Sequence, residues 1–250
     1  MKKHILILLL AIFPATTFAS SAVHLDSAPI DIADKDSIKR GAKTFADYCY
    51  SCHSAHFMRF NRIAKDMDME EIDVRDMMIF TRDKKGEATK IGDLMNVAMT
   101  KDYAKGAFGG PVPDLTLTAR SRGADWLYTY LRTFYADDSR PTGMNNTTFA
   151  DVGMPHVLWE LQGIKKPVYV TEEHDGVEVK RIDSFETVIA GSMTEEEYDA
   201  FVADLVNFMV YVAEPVQTER RELGMYVLIY LSIFFVFAYF LKKEYWKDIH

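Results

Sequence analysis

The 250-residue sequence predicts a mainly α-helical domain with long loops and a small β-hairpin insertion, plus one C-terminal transmembrane helix. Three observations carry this expectation. Apolar residues recur at helical spacing in three separate segments. One segment alternates in the manner of paired strands around Asp175-Gly176. Near the end, Leu223 to Leu241 is an uncharged run of about the ~20 residues a helix needs to cross a bilayer. Composition agrees with a packed domain, since 48% hydrophobic and 26% charged residues are ordinary for globular chains. The length is ample for a core without disulfide stapling. A net charge of −8 argues against a nucleic-acid partner and favours neutral or basic ones.

Taken in order, the first segment has Lys2 and Lys3, an apolar stretch from Ile5 to Phe13 broken by Pro14, and small residues around Ala19 to Ala22. That pattern predicts a secretory signal peptide over residues 1–22. The exported body is expected over 23–219, the membrane helix over 220–242 and a short tail over 243–250. Export of the body leaves the tail, with Lys243 and Lys247, on the inner side.

Within the body, "DKDSIKRGAKTFADYC" predicts a helix capped by Asp36 or Ser37, with Ile38, Ala42 and Phe45 on one face. Residues 63–93 are highly charged and read as short helices and loops. Asp102 to Gly123 is dense in Gly and Pro and reads as irregular backbone. A helix over Ala124–Tyr135 comes next, with Trp126, Leu127, Tyr130, Leu131 and Phe134 on one stripe. Asp137 to Pro155 is again irregular. The hairpin around Asp175-Gly176 then leads to the clearest helix, where Thr194 and Glu197 form a capping box and Pro215 closes the far end.

Both cysteines of the chain, Cys49 and Cys52, sit in "CYSCH" with His53 directly behind them. Three chemistries use a C-x-x-C pair. A structural zinc site needs a second Cys or His pair at similar spacing, which the sequence lacks. Thiol–disulfide exchange places its reactive cysteine at a helix N-terminus, whereas this pair comes after a helical run. Covalent haem uses every member: two thiols reach the two vinyl groups of one porphyrin, and the imidazole of His53 is held under the ring plane where it meets the iron.

The sixth position of that iron is left to thirteen methionines and several histidines. Met67, Met69, Met77, Met78 and Met209 read as core. Met144 in "PTGMNN" and Met154 in "DVGMPHVLW" each stand after a glycine in irregular chain, and Pro155 stiffens the backbone beyond Met154. His156 is a rival. Met154 is the first choice because a ligand loop must be both bent and rigid. A thioether there favours reduced iron and closes the site to oxygen.

The segments "RGAKTFADYCYSCHSAHFMRFNR", "PVPDLTLTARSRGADWLYTYLRTFY" and "GMPHVLWELQG", with a late single membrane helix after them, closely resemble the cytochrome c1 family of the bc1 complex in its bacterial form. The resemblance runs from about Lys39 to the C-terminus. It implies a cytochrome c-type haem domain with thioether bonds at Cys49 and Cys52 and axial ligation by His53 and Met154. It also implies a haem-propionate contact at Arg120, for which Arg122 is equally well placed by sequence, and a haem-lining segment of Pro113, Asp114 and Leu115. This chain reads "PVPDLT" where many relatives read "PPDLS", a conservative departure. With no further cysteine pair, a family-type disulfide is impossible here.

By the same resemblance the chain is the electron-carrying, non-quinol-binding subunit of a quinol–cytochrome c reductase. It takes an electron from a Rieske iron–sulfur protein and passes it to a c-type cytochrome, beside cytochrome b in a dimeric complex of the bacterial inner membrane, with its main domain in the periplasm. The acidic residues Glu172, Glu173, Asp175, Glu178, Asp183, Glu186 and Glu195 to Glu197 then suit a basic soluble partner, although a charge run is also the ordinary dress of a solvated face. A stand-alone anchored carrier feeding a terminal oxidase, and a haem-based sensor or peroxidase with an open sixth site, are the rival classes.

Overall fold

The computed structural model describes residues 24–82, 85–174 and 177–248, so the expected signal peptide and the Asp175-Gly176 turn lie outside the described residues. The first helix, α1, spans Lys35–Thr44. Its cap is Asp34 rather than Asp36 or Ser37: the Asp34 carboxylate accepts from the backbone N–H groups of Asp36 and Ser37, each at 3.0 Å. Ile38, Ala42 and Phe45 are buried as the periodicity requires. The helix then widens into a π-helical turn, Phe45–Cys49, closed by the Tyr50 N–H on the Phe45 carbonyl at 2.8 Å. Such a turn takes in one extra residue and re-aims the chain beyond it.

Short elements fill the next stretch: β1 (Ala55–Arg59), α2 (Phe60–Asp66), α3 (Glu71–Met78) and β2 (Leu94–Met95), with β1 and β2 antiparallel. The region expected to be irregular contains two helices, α4 (Lys101–Phe108) and α5 (Thr118–Arg122). Its glycines act as helix stops rather than as a loop signal. Gly109 ends α4 in the left-handed conformation at φ 77°, and the Thr100 side chain caps the start by accepting from the Tyr103 N–H.

The next helix, α6, spans Ala124–Arg132 and stops before Tyr135, because Phe134–Ala136 becomes a strand, β3, pairing with β4 (Met144–Asn146). A one-turn helix α7 (Trp159–Gln162) leads into the ribbon of β5 (Gly163–His174) and β6 (Val177–Ala190), which is much longer than the small hairpin expected. Gly163, at φ 87°, pinches its base; a Cβ there would sit 2.4 Å from the Ile189 carbonyl oxygen.

Helix α8 spans Glu195–Ala213 and carries the predicted capping box of Thr194 and Glu197. The last helix, α9, runs Gln217–Tyr245, extending beyond the expected span at both ends. Its most apolar window has a mean hydropathy of 2.1, and none of that window is covered by the rest of the chain. At ~1.5 Å per residue, 29 residues exceed the ~30 Å hydrocarbon thickness.

The core centres on the crossing of α1 and α8. At Gly41 the helices come so close that a Cβ would lie 2.0 Å from the Asp204 carbonyl oxygen and 2.8 Å from the Phe208 Cβ. Around that point the Phe45 and Phe208 rings pack at 5.4 Å, and Arg40 grips the Asp204 carboxylate with contacts of 2.6 and 2.9 Å. The Asn207 amide donates to the Asp31 carbonyl and the Ser37 hydroxyl at 2.7 and 2.9 Å. Helix α6 joins the same helix through Tyr198, whose hydroxyl donates to the Leu131 carbonyl, and through Arg132, which forks onto Asp199.

Gly41→Ala pushes a methyl into backbone, which cannot yield as a side-chain tip can. Overpacking of this kind costs about 1–3 kcal/mol. Urea unfolding monitored by far-UV circular dichroism should show a lower midpoint with an unchanged slope.

Candidate functional site

The π-helical turn delivers Cys49 to the interior, and a tight turn comes directly after it. The N–H groups of Cys52 and His53 both donate to the Cys49 carbonyl, at 3.1 and 2.9 Å. This folds the backbone of Cys49 to His53 around one carbonyl oxygen. All three side chains line a single cleft of about 480 Å³, within the ~300–1,000 Å³ of small-molecule and cofactor sites. Other clefts are of similar size, so lining rather than volume sets this one apart. Its walls are largely apolar, with Leu127 and Leu131 from α6 and Leu205 and Met209 from α8.

Both cysteines are free thiols. Burial pushes the Cys49 thiol up to about 12, with Cys52 beside it adding to the effect, so it is protonated at neutral pH. A thiol so disposed is a poor redox nucleophile. Among the described residues, no group of three or more His, Cys, Asp and Glu side chains could hold a metal ion.

His53 Nδ1 lies 2.8 Å from the Pro113 carbonyl oxygen. A carbonyl only accepts, so Nδ1 carries the proton and Nε2 keeps its lone pair. Burial lowers the proton affinity of His53, outweighing the Pro113 hydrogen bond and the nearby Asp114 charge that raise it. The ring is therefore a neutral donor.

Pro113 is itself held in place. The Asp114 carboxylate accepts from the N–H groups of His56 and Thr116 at 2.7 and 2.9 Å, and the Leu115 N–H donates to the Ser54 carbonyl at 2.9 Å.

Met154 lines the same cleft as His53, flanked by Gly153 and Pro155. Its loop is braced by two asparagines that sequence reasoning passed over. Asn145 Oδ1 accepts from the N–H groups of Asn146 and Asp151, each at 2.9 Å. Asn146 Oδ1 accepts from the N–H groups of Thr148 and Phe149, while its amide donates to the Tyr130 carbonyl at 2.8 Å. The adjacent pair "NN" in a Gly- and Pro-rich stretch was the available signal, since Asn side chains satisfy loop backbone.

The rival ligands lie elsewhere. Met144 is buried in β4 opposite Ala136 and does not line the cleft. His156 is stacked flat on Phe134 at 4.9 Å, away from the cleft lining, and burial brings its pKa down to about 4. Met209, expected as core, does reach the cleft and is a second thioether in its wall.

The two arginines separate clearly. Arg120 reaches Glu214 at 2.6 Å and is not part of the cleft lining. Arg122 lines the cleft, with its guanidinium 5.0 Å from the Trp126 ring centroid and 5.8 Å from that of Phe149. It is the arginine free to meet an anionic group at the mouth.

A tethered, flat, apolar group bearing carboxylates fits this donor set: two thiols, a neutral imidazole, a thioether, apolar walls and a guanidinium at the rim.

The comparisons with known proteins point to one family. The sequence model of the Cytochrome C1 family matches residues 26–249. The chain is 47% identical over 251 residues to cytochrome c1 of Allochromatium vinosum, covering 100% of both. It is 52% identical over 248 residues to a Nitrosomonas europaea protein named ammonia monooxygenase gamma subunit, covering 97% of both. Against the mitochondrial cytochrome c1 haem protein of Saccharomyces cerevisiae, identity is 24% over 244 residues, with 89% of this chain and 70% of that one covered.

Removing the rim charge tests the division between the arginines. Arg122→Ala should lower the midpoint potential of the loaded site, because a nearby cation favours the reduced centre; a several-fold shift in the one-electron equilibrium is expected, tenfold being about 59 mV. Arg120→Ala should leave spectrum and potential unchanged in the same titration.

Proposed function

The chain belongs to the cytochrome c1 family, and from that premise we propose that it carries one covalently attached haem c as the electron-transfer subunit of a quinol–cytochrome c reductase. The observation that carries the reading is the convergence of Cys49, Cys52, His53 and Met154 on one apolar cleft. When bound, the haem supplies one-electron chemistry through its iron.

The polypeptide does the rest. Cys49 and Cys52 would hold the haem through thioether bonds, each thiol adding across a vinyl group, and His53 beside them would offer its imidazole to the iron. Pro113 orients the imidazole through its carbonyl. Met154 would offer its thioether to the same group from a loop whose shape Asn145 and Asn146 already impose. Leu131, Val157, Leu205 and Met209 exclude water. Low water access limits the reorganisation that each electron transfer requires. Arg122 would pair with a carboxylate of the bound group at the rim, a charge-assisted contact that would restrain the ring and tune its potential.

In this reading α9 anchors the body to the bacterial inner membrane with the main domain in the periplasm and the tail in the cytoplasm. The electron arrives from a Rieske iron–sulfur protein held beside cytochrome b, and leaves to a c-type cytochrome. Asp183, Glu186 and Glu195 to Glu197 are exposed and suit a basic acceptor, although Glu197 also serves the α8 capping box. Three carboxylates in the first turn are favourable there in any case.

Two measurements test the reading. On a denaturing gel, haem should stay with the polypeptide through acid–acetone extraction, and mild-detergent purification should recover a b-type cytochrome and a Rieske protein. Because one relative is named as a monooxygenase subunit, recovery of such an enzyme instead would overturn the partner assignment. Met154→Leu should lower the midpoint potential and let the reduced haem bind carbon monoxide. An unchanged low-spin spectrum and potential would move the ligand to Met209, the other thioether in the cleft.

A further inference from the structure

The hydroxyl of Tyr130 donates a hydrogen bond to the sulfur of Met154 at 3.4 Å. Nothing in the tethering or ligation of a haem calls for this contact, and the ring that makes it is clamped. Trp126 stacks on one side of it, 4.9 Å between centroids and 9° between planes. Phe134 packs edge-on at 5.1 Å. The backbone of the same residue is pinned by Asn146, the residue that also shapes the Met154 loop. The side chain is buried in the cleft wall, where a phenol needs a partner for its proton.

Resting on the reading that Met154 is the axial ligand, we propose that Tyr130 is a positioning residue that holds and polarises the Met154 sulfur. A thioether sulfur has two lone pairs. One serves the iron, and the other remains to accept from the hydroxyl. A proton shared onto that second pair draws electron density off the sulfur. The sulfur then stabilises ferric iron less than before and ferrous iron comparatively more, so the potential rises.

The contact also answers a problem of order. Methionine has three rotatable side-chain bonds and a weakly directional sulfur, which makes it easy to displace. A donor on a rigid helix fixes the sulfur in advance, reducing the entropy lost on ligation. The phenol's apolar surroundings leave the bond little competition from water.

The test uses the full-length membrane-extracted holoprotein. Tyr130→Phe keeps the ring and removes only the donor. It should retain the low-spin spectrum, shift the one-electron equilibrium several-fold toward the oxidised form, and bind cyanide faster in the ferric state. Tyr128→Phe on the same helix, whose ring faces the Arg132 guanidinium at 4.4 Å, should change neither.

If Tyr130→Phe matches wild type in potential and cyanide rate while Met154→Leu loses the methionine-to-iron charge-transfer band, Met154 is the ligand and the role of Tyr130 is disproved. If Met154→Leu keeps that band, the ligand reading itself fails and takes this inference with it. Should Tyr130→Phe not accumulate, the wild-type band after prolonged exchange into D2O decides: a shift supports the shared proton and an unmoved band overturns it.

Discussion

The close approach of Gly41 on α1 to the Asp204 backbone on α8, where a Cβ would find no room, sets the position of two walls of the cleft. Because the two helices meet there without a side chain between them, α1 can lead directly into the cysteine turn while α8 presents Leu205 and Met209 to the same space. A larger residue at the crossing would part the tethering turn from its wall. The flanking contacts, Phe45 on Phe208 and Arg40 on Asp204, then fix the angle and register of the crossing.

Beyond this crossing, His53 and Met154 are placed chiefly through backbone groups of their neighbours. His53 leans on the Pro113 carbonyl, and the segment carrying that carbonyl is tied to β1 and Ser54. Met154 is shaped by amides that answer to Asn145 and Asn146. The asparagine contacts add no net charge beside the cleft, and together with the Asp114 carboxylate on the Pro113 side they rigidify loops that contribute no regular hydrogen bonding of their own. Fixed dipoles such as the Pro113 carbonyl and the asparagine amides need not reorganise when the charge of a nearby group changes.

The body and the membrane helix are joined at Glu214, the residue that ends α8. Its carboxylate receives Arg120 from α5 and Arg220 from the first turn of α9. Arg120 thus has a defined place in the protein, linking the segment next to the cleft with the start of the anchor. These arginines lie largely exposed, so the link orients the junction more than it stabilises it.

The residues legible in the sequence are those whose signal is local. "CYSCH" brings two thiols and an imidazole together through spacing in the chain itself, and the structure keeps all three in one cleft. The capping box at Thr194 and the uncharged run of α9 are equally self-contained. The Gly–Pro stretches misled for the same reason: Gly109 stops a helix, yet its local signature is that of a loop. Met154 could be preferred over Met144 by its rigid neighbour, but only the fold separates them, by pairing Met144 into β4. Arg120 and Arg122 stand two apart in one short helix, nearly a half-turn different in direction, and no local property says which direction is inward. The amino-acid sequence by itself determined the spacing of Cys49, Cys52 and His53, since that spacing is a property of the chain. Which side chains complete the site was decided by the tertiary structure, because facing a cleft is a relation between segments far apart in sequence.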